Sequence, residues 1–393
     1  MNFLKDGKMT KIFKAIAIVP AILAIIIIRL LKPVVLIRFS PLYSSRIGHF
    51  AINTELYLCE RDIDDRMQKT VDLFYHSCFV CNQQLKKMWD RVLHVSPLIA
   101  LLDRANKFVP GYKSHIVPIS ESRDYNGLLR RVKPHLYFFP KEERFGRAQL
   151  AKLGMPDGAM FVCFHSRSFA YLNSVNSNQD WHYHDYRNTR IDDYIPAMQE
   201  VVNRGYFAVR TGAIVEHPLN TGNPWIIDYA VIARTDFMDI FLSAKCRFFV
   251  VDTAGIYALP LVFRRPVVSV NIIPFKHAPL CSENRLFIPK KLWLLNEKRF
   301  MTFREILESE IGGFYKTEQY KSQGIDIVDN TPEEITALVV EMDKRINGSW
   351  ETSDEDEKLQ ERFQSLFTTE RLEEGFSLSR IGMEFLRQNR NLL

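Results

Sequence analysis

Residues 246–274 read CRFFVVDTAGIYALPLVFRRPVVSVNIIP. An unbroken apolar run ends at Val251. A short polar turn, Asp252-Thr253-Ala254-Gly255, leads into the helical stretch GIYALPLVFRRP, and a second apolar run, VVSVNIIP, follows. Strands covered on both faces are near-continuous runs of β-branched residues, and a helix between two of them is the crossover of a parallel sheet. The same rhythm extends upstream. AMFVCFHSR (159–167) is a strand, and IDDYIPAMQEVVNRG (191–205) is a helix with Gly205 as its C-terminal stop. YFAVRTGA (206–213) and IIDYA (226–230) are strands, and DFMDIFLSAK (236–245) is a helix. Between strand and helix, SFAYLNSVNSNQDWHYHDYRNTR is a polar, aromatic loop.

This alternation predicts a doubly wound α/β domain over 151–345, with helices on both faces of a parallel sheet. Near its end, TPEEITALVVEMDKRI is a helix opened by a capping box of Thr331 and Glu334. Acidic helical segments form a tail over 346–393. The first half repeats the strand–helix pattern: VVLIRF, then a loop at SPLYSSRIGH, then the helix FAINTELYLCE. VDLFYHS, NQQLKKMWDRVL and the helical HVSPLIALLDRANKFVPG continue it. A second Rossmann-like domain is therefore expected over 33–150, with the boundary in PKEERFGRAQLAKLGMPDG (140–158) and the loop edges of the two domains facing a cleft.

The chain has 393 residues, 47% of them hydrophobic, which suits two cores. Charged residues make up 25% and no long biased tract interrupts them, so a disordered arm is excluded. The net charge of +6 is mild and lacks a basic run, which argues against nucleic acid and for phosphate groups or an anionic membrane surface. Six cysteines occur; Cys78 and Cys81 form CFVC, but no second pair completes a zinc site. Most lie in apolar runs, as small buried hydrophobes of a reducing compartment do.

At the N-terminus, residues 11–32 read KIFKAIAIVPAILAIIIIRLLK, with lysines before the apolar core and Arg29 and Lys32 after it. No small-residue cleavage site follows, so a signal peptide is disfavoured. The run is short of the roughly 20 residues a spanning helix needs. A spanning anchor stretched by snorkelling lysines, an interfacial or re-entrant helix kinked at Pro20 and a buried core helix are the readings, the lysines before the run arguing against the last. We expect residues 1–32 to attach the chain to the cytoplasmic face of the inner membrane.

Five constellations carry candidate chemistry. His165 and Arg167 end a strand, where open α/β sheets bind ligands, and the planar guanidinium suits phosphate; a structural ion pair or an arginine that merely caps the sheet is the alternative. Asp252, Thr253, Ala254 and Gly255 precede a helix whose first amides can face an anion; an ordinary capped turn is the alternative. Arg210 ends a strand and is read either as an anion ligand or as the partner of Asp228 or Asp252. In WHYHDYRNTR (181–190), His182, His184 and Asp185 lack a further ligand for a metal, whereas the aromatic and polar mixture suits a sugar. Arg46, Gly48 and His49 open the first domain's helix. His49 is read as a base or as an ordinary hydrogen-bonded helix-start histidine.

YRNTRIDDYIPAMQEVVNRGYFAVRTG, IIDYA, DFMDIFLSAKCRFFVVDTAGIYALPLVFRRPVVSVN, FIPKKLW, DNTPEEI and the earlier RIGHFAINTELYL resemble a family of bacterial glycosyltransferases associated with surface-polysaccharide biosynthesis. The resemblance covers most of residues 34–345. It implies a GT-B-like fold, with a nucleotide sugar bound mainly by the C-terminal domain. His165-Ser166-Arg167 is also similar to the phosphate-contacting HxR of fucosyltransferase-type enzymes, which implies Arg167 at the donor diphosphate and Asp252 to Gly255 at phosphate or ribose. Ser168-Phe169 departs from the Arg-Gly-Asp-like continuation of that motif. Asp252-Thr253-Ala254 replaces a serine-rich loop, so the donor's identity is left open.

The resulting expectation is a glycosyltransferase of the hexosyl or deoxyhexosyl class, free of cofactors and of a tightly bound metal. It would move sugar from a nucleotide-sugar donor to a hydroxyl of a lipid-linked surface glycan. His49 or Glu55 would be the base. His165, Arg167, Arg210 and Asp252 to Gly255 would hold the donor, and Arg46, Gly48, Tyr186, Arg187 and Asn188 the acceptor or sugar. The alternatives are a nucleotide-sugar epimerase on the same fold and a non-catalytic, membrane-tethered partner that binds glycan or nucleotide sugar.

Overall fold

The computed structural model describes residues 18–64, 68–77, 79–119, 123–124, 126–175, 180–278, 284–367 and 379–393. The chain forms two compact units: Met1–Arg123 with His135–Tyr137, and Asp124–Pro134 with Phe138–Leu393.

The first unit holds a three-stranded parallel sheet of β1 (Leu36–Leu42), β2 (Thr70–His76) and β3 (His94–Val95), in that order. Arg38 lies opposite Asp72 in the β1–β2 register. The buried pair is joined by two hydrogen bonds of 2.7 Å, and Tyr57 donates a third to the same carboxylate. That pairing explains how a charge sits inside the apolar run VVLIRF. Helices Ile47–Asp62, Gln83–Val92 and Ile99–Asn106 follow the strands. The predicted helix over 94–111 thus divides into the short β3 and a helix from Ile99, the break falling around Ser96-Pro97.

A helix also covers 18–31. Ile25 and Ala21 are buried in a cluster with Phe39, Ile99 and Ala105. Val19, Leu23, Ile26, Ile27, Leu30 and Leu31 are exposed. The helix is therefore apolar all round, with one side spent on the first unit's core and the other left to solvent. Among the described residues no helix is long and apolar enough to cross a membrane. Residues 11–17 of the anticipated anchor lie outside the described residues.

The second unit is built on a seven-stranded, fully parallel sheet. Its strands are β4 (Phe161–His165), β5 (Phe207–Arg210), β6 (Ile226–Ile227), β7 (Phe249–Val251), β8 (Val267–Ile272), β9 (Arg285–Pro289) and β13 (Arg380–Ile381). Their order is β13-β9-β8-β7-β4-β5-β6. From β4 the chain winds outward through β5 to β6. It then returns to β7 on the other side of β4 and winds outward through β8 and β9. This is the doubly wound order anticipated from the sequence, and its topological switch point falls between β4 and β7. Side chains alternate between two cores, as strand geometry requires. Val162, Phe164, Ala208, Val250 and Val268 join one cluster, whereas Phe161, Cys163, Val209, Phe249 and Val251 join the other.

A small antiparallel sheet of β10 (Lys291–Leu294), β11 (Arg299–Phe300) and β12 (Ile325–Val328) completes the unit. The capping box of Thr331 and Glu334 forms as anticipated, with hydrogen bonds of 3.2 and 3.0 Å.

Two boundaries differ from the sequence reading. Helix Pro140–Lys152 packs in the second unit, where a Cβ on Gly146 would lie 2.3 Å from the ring of Phe241. The segment from 346 onward is no separate tail. β13 pairs with β9, and Phe363, Met383, Phe385 and Leu386 enter the main core cluster. The stretch after β4 is also more ordered than a loop. It carries a helix at Ala170–Val175 and a 3-10 turn at His182–Arg187.

Candidate anion site at the switch point

β4 and β7 end side by side, with His165 opposite Val251 in register, so the residues that follow both strands share one edge of the sheet. Asp252 is 1% exposed and ties the two exits together. Its Oδ2 accepts the Arg167 backbone N–H at 2.6 Å and the Thr189 hydroxyl at 2.6 Å. Ser166 adds hydrogen bonds to the Thr189 carbonyl and hydroxyl at 2.9 and 3.1 Å, and the Thr189 N–H donates to the Arg167 carbonyl at 3.0 Å. The Asp252 carboxylate thus clasps the loop backbone. Its accepting oxygen is buried and already taken, so Asp252 positions the loop in place of the direct contact with phosphate or ribose that the resemblance implied.

The clasp sets two guanidinium groups at the edge. Arg167 donates through Nη1 to Asn188 Oδ1 and, at 3.5 Å, to the His184 carbonyl. Arg187 donates through Nε and Nη2 to the Thr253 carbonyl, at 3.2 and 2.6 Å. Among the described residues neither guanidinium stands in an ion pair with a carboxylate. Burial and then the nearby Arg187 charge push the Arg167 guanidinium down to about 10. Two half-buried guanidinium groups close enough for their charges to interact, each hydrogen-bonded to neutral acceptors, suit a divalent oxyanion.

Lys290, just past β9, joins them. Its side chain is 2% exposed and its ammonium donates to the Asn188 carbonyl at 2.9 Å and Asp329 at 2.7 Å. Burial lowers its pKa against the pull of Asp329. Lys290 lies in FIPKKLW, outside the site residues expected from the sequence. Its position directly after a strand of the sheet was the available signal.

Other expected donor residues take different parts. The His165 Nδ1 lies 3.1 Å from the Thr211 carbonyl, and burial lowers its pKa. It is therefore a neutral imidazole at pH 7, not a cationic phosphate ligand. Arg210 is buried and donates to the His217 carbonyl at 2.7 Å and Asp228 at 3.3 Å, so of its two readings the Asp228 pair is the one realised. Thr253 is spent on β8: its hydroxyl accepts the Ile273 N–H at 3.1 Å and donates to the Asn271 carbonyl at 3.4 Å. Ala254 is 7% exposed in the cluster on one face of the sheet. Gly255 is not among the glycines of positive φ and opens a single 3-10 turn before the five-residue helix Ala258–Val262. That helix is too short to supply a strong dipole.

On the expected sugar side, Tyr186 is 3% exposed in the main core and packs on Tyr320, so it offers no face to a sugar. Asn188 orients Arg167, and its amide donates to Asp185 at 3.0 Å. His182 is exposed and pairs with Asp185 at 3.0 Å.

In the first unit, Arg46 is the N-cap of helix Ile47–Asp62 and makes no side-chain cap. Gly48 and His49 lie in its first turn, and the partly exposed His49 ring stands 6.3 Å from that of Tyr43. Glu55 lies two turns further on with no exposed surface, beside Cys59 and His135. A carboxylate so enclosed cannot meet a substrate hydroxyl, which corrects its assignment as the base.

No protein-family model matches the chain and no curated protein matches it. Solved structures do resemble it. E. coli ADP-heptose LPS heptosyltransferase II is 13% identical, with 64% of this chain and 90% of that one covered at a TM-score of 0.38. The family 9 glycosyl transferase from Veillonella parvula is 8% identical, with 65% and 86% covered at a TM-score of 0.40. E. coli heptosyltransferase WaaC with ADP is 9% identical, with 73% and 99% covered at a TM-score of 0.28.

Proposed function

We propose that the chain is a glycosyltransferase whose second unit binds the diphosphate of a nucleotide sugar at the switch point of its sheet. The observation that carries the reading is the guanidinium pair of Arg167 and Arg187, set after β4 by the Asp252 clasp and paired with no carboxylate among the described residues. The family resemblance of these same segments supports it. As the sugar leaves, negative charge grows on the β-phosphate. Cations already fixed beside it stabilise that charge without reorganising. The two arginines, with Lys290 behind them, supply this stabilisation, and the donor chemistry needs no metal. His49, partly exposed in the first turn of its helix, is the first unit's group for accepting the proton of the acceptor hydroxyl.

The acceptor is a membrane-borne glycan, and the exposed apolar side of helix 18–31, flanked by Arg29 and Lys32, holds the enzyme on the lipid surface. The test is calorimetry with UDP, GDP, CMP and dTDP and their sugar conjugates, followed by a transfer assay on membranes. Nucleoside diphosphates are expected to bind more tightly than the corresponding nucleosides, through Arg167 and Arg187. Equal affinity for the two would overturn the assignment. Tight binding without sugar release in any acceptor preparation would leave a binding protein instead of an enzyme.

A further inference from the structure

We propose that Glu55, Cys59 and His135 bind one divalent transition-metal ion of the zinc class, which fastens the returning segment His135–Tyr137 to helix Ile47–Asp62 of the first unit. Glu55 and Cys59 stand one helical turn apart, and neither has exposed surface. The Cys59 sulfur lies 3.9 Å from Glu55 Oε1, His135 Nδ1 lies 3.2 Å from the same oxygen, and the ligand atoms of the three residues fall within 4.8 Å of one another. Tetrahedral zinc, with sulfur at about 2.3 Å and nitrogen or oxygen at about 2.0–2.1 Å, sets neighbouring ligands about 3.3–3.6 Å apart. The two separations from Glu55 Oε1, 3.2 and 3.9 Å, thus lie within a few tenths of an ångström of such edges before any ion enters.

The surroundings favour the same geometry. The other ring nitrogen of His135, Nε2, meets Asp62 Oδ2 at 3.0 Å. With Nδ1 on a metal, Nε2 carries the hydrogen and donates it to Asp62. That is the carboxylate–histidine–metal relay which fixes a ligating imidazole. The His135 backbone N–H points to Glu55 Oε1 at 3.4 Å and holds the carboxylate toward the ring. A thiolate, an imidazole and one carboxylate form a borderline-soft set, which selects zinc, cobalt or iron over magnesium or calcium. The two anionic ligands neutralise a dication in a place where an unbalanced charge is costly. Three protein ligands leave a fourth position for water.

Residues 124–134 and those from Phe138 onward belong to the second unit, whereas His135–Tyr137 belong to the first. An ion held by both helix and segment would fasten this three-residue return, and its binding energy would add to folding.

The competing arrangement is a protonated His135 between the Glu55 and Asp62 carboxylates, with Cys59 a bystander. The full chain, stripped with chelator, is titrated with cobalt(II) chloride as a spectroscopic probe and with zinc chloride in a thermal melt. One equivalent of cobalt is expected to give tetrahedral d–d bands and a thiolate charge-transfer band, and zinc is expected to displace it and raise the melting temperature. Cys59→Ser should abolish the charge-transfer band. Asp62→Asn, a milder change outside the ligand set, should weaken binding about 10- to 100-fold. A wild-type chain that gives neither the bands nor a melting shift would leave the imidazolium pair in place and overturn the proposal. So would a charge-transfer band that survives in Cys59→Ser.

Discussion

Replacing Arg167 with methionine removes the guanidinium and keeps most of the apolar stem. In the ligand-free protein Arg167 is held by Asn188 and a carbonyl, and it faces both burial and the Arg187 charge. Those bonds to neutral acceptors are offset by the desolvation and like-charge repulsion that the substitution relieves. Melting of the ligand-free chain is therefore expected to stay within about 1 kcal/mol of wild type. Binding responds differently. A charge-assisted hydrogen bond to phosphate contributes about 1.5–3 kcal/mol, so the variant should bind a nucleoside diphosphate about 10- to 150-fold more weakly. Isothermal calorimetry at fixed ionic strength reads the affinity, and a parallel salt series should show a shallower dependence once one cation is gone. A loss of less than about threefold, with the fold intact, would refute the idea that this edge of the sheet receives the diphosphate. So would a loss of stability as large as the loss of binding, because that would make Arg167 a structural residue.

Arg210→Met should act in the opposite sense. It leaves the half-buried Asp228 without its cation, so stability should fall by about 1–3 kcal/mol in urea melts while diphosphate affinity in the folded protein is kept. Asp239 offers a pH test. Burial outweighs the Arg234 guanidinium and pushes this carboxyl up to about 6. Between about pH 4 and pH 6 the native state then holds more protons at this site than the unfolded state. Its contribution to stability therefore falls as pH rises through that window and is level above it. Asp239→Asn should flatten that slope in melts recorded from pH 4 to 7, and an unchanged slope would discard the assignment. For the membrane, Leu23→Ser together with Ile27→Ser should lower partition onto anionic vesicles in a flotation assay by about 100-fold or more, each lost side chain removing roughly 1.5–3 kcal/mol of apolar transfer. Equal flotation would point to another attachment.

Much of the second unit was legible because buried parallel strands are written as continuous apolar runs and their helices as spaced ones. β4, β5, β7 and β8 each fall inside a run read as a strand, β4 and β5 about half as long as read, and their winding order placed His165, Arg167 and Asp252 at a common edge. What the sequence withheld was partnership. Arg167, Arg187 and Arg210 carry the same side chain near loops or strand ends. Only the nearness of Asp228 makes Arg210 structural, and only the want of an ion-pair partner among the described residues marks the other two. Tyr186 and Asn188 lie in one loop, yet a 3-10 turn sends the tyrosine into the core. Glu55 looked like a helix-borne base because nothing in RIGHFAINTELYLCE announces that a histidine 80 positions later will close over it. β13 escaped notice because its two residues, Arg380–Ile381, form no apolar run of the kind that marked the equally short β6.

That last strand has a consequence for how the molecule is made. The outer rim of the large sheet is capped by Arg380–Ile381, and the amide of Met383 is received by Glu341 at 2.8 Å. While these residues are still inside the ribosome, the backbone of Phe287 and its neighbours is a bare hydrogen-bonding rail, ready to pair with the same rail on another nascent chain. Translation that stalls shortly before residue 380, or a premature stop there, should yield sticky aggregates even though every residue of the guanidinium cluster has already been synthesised.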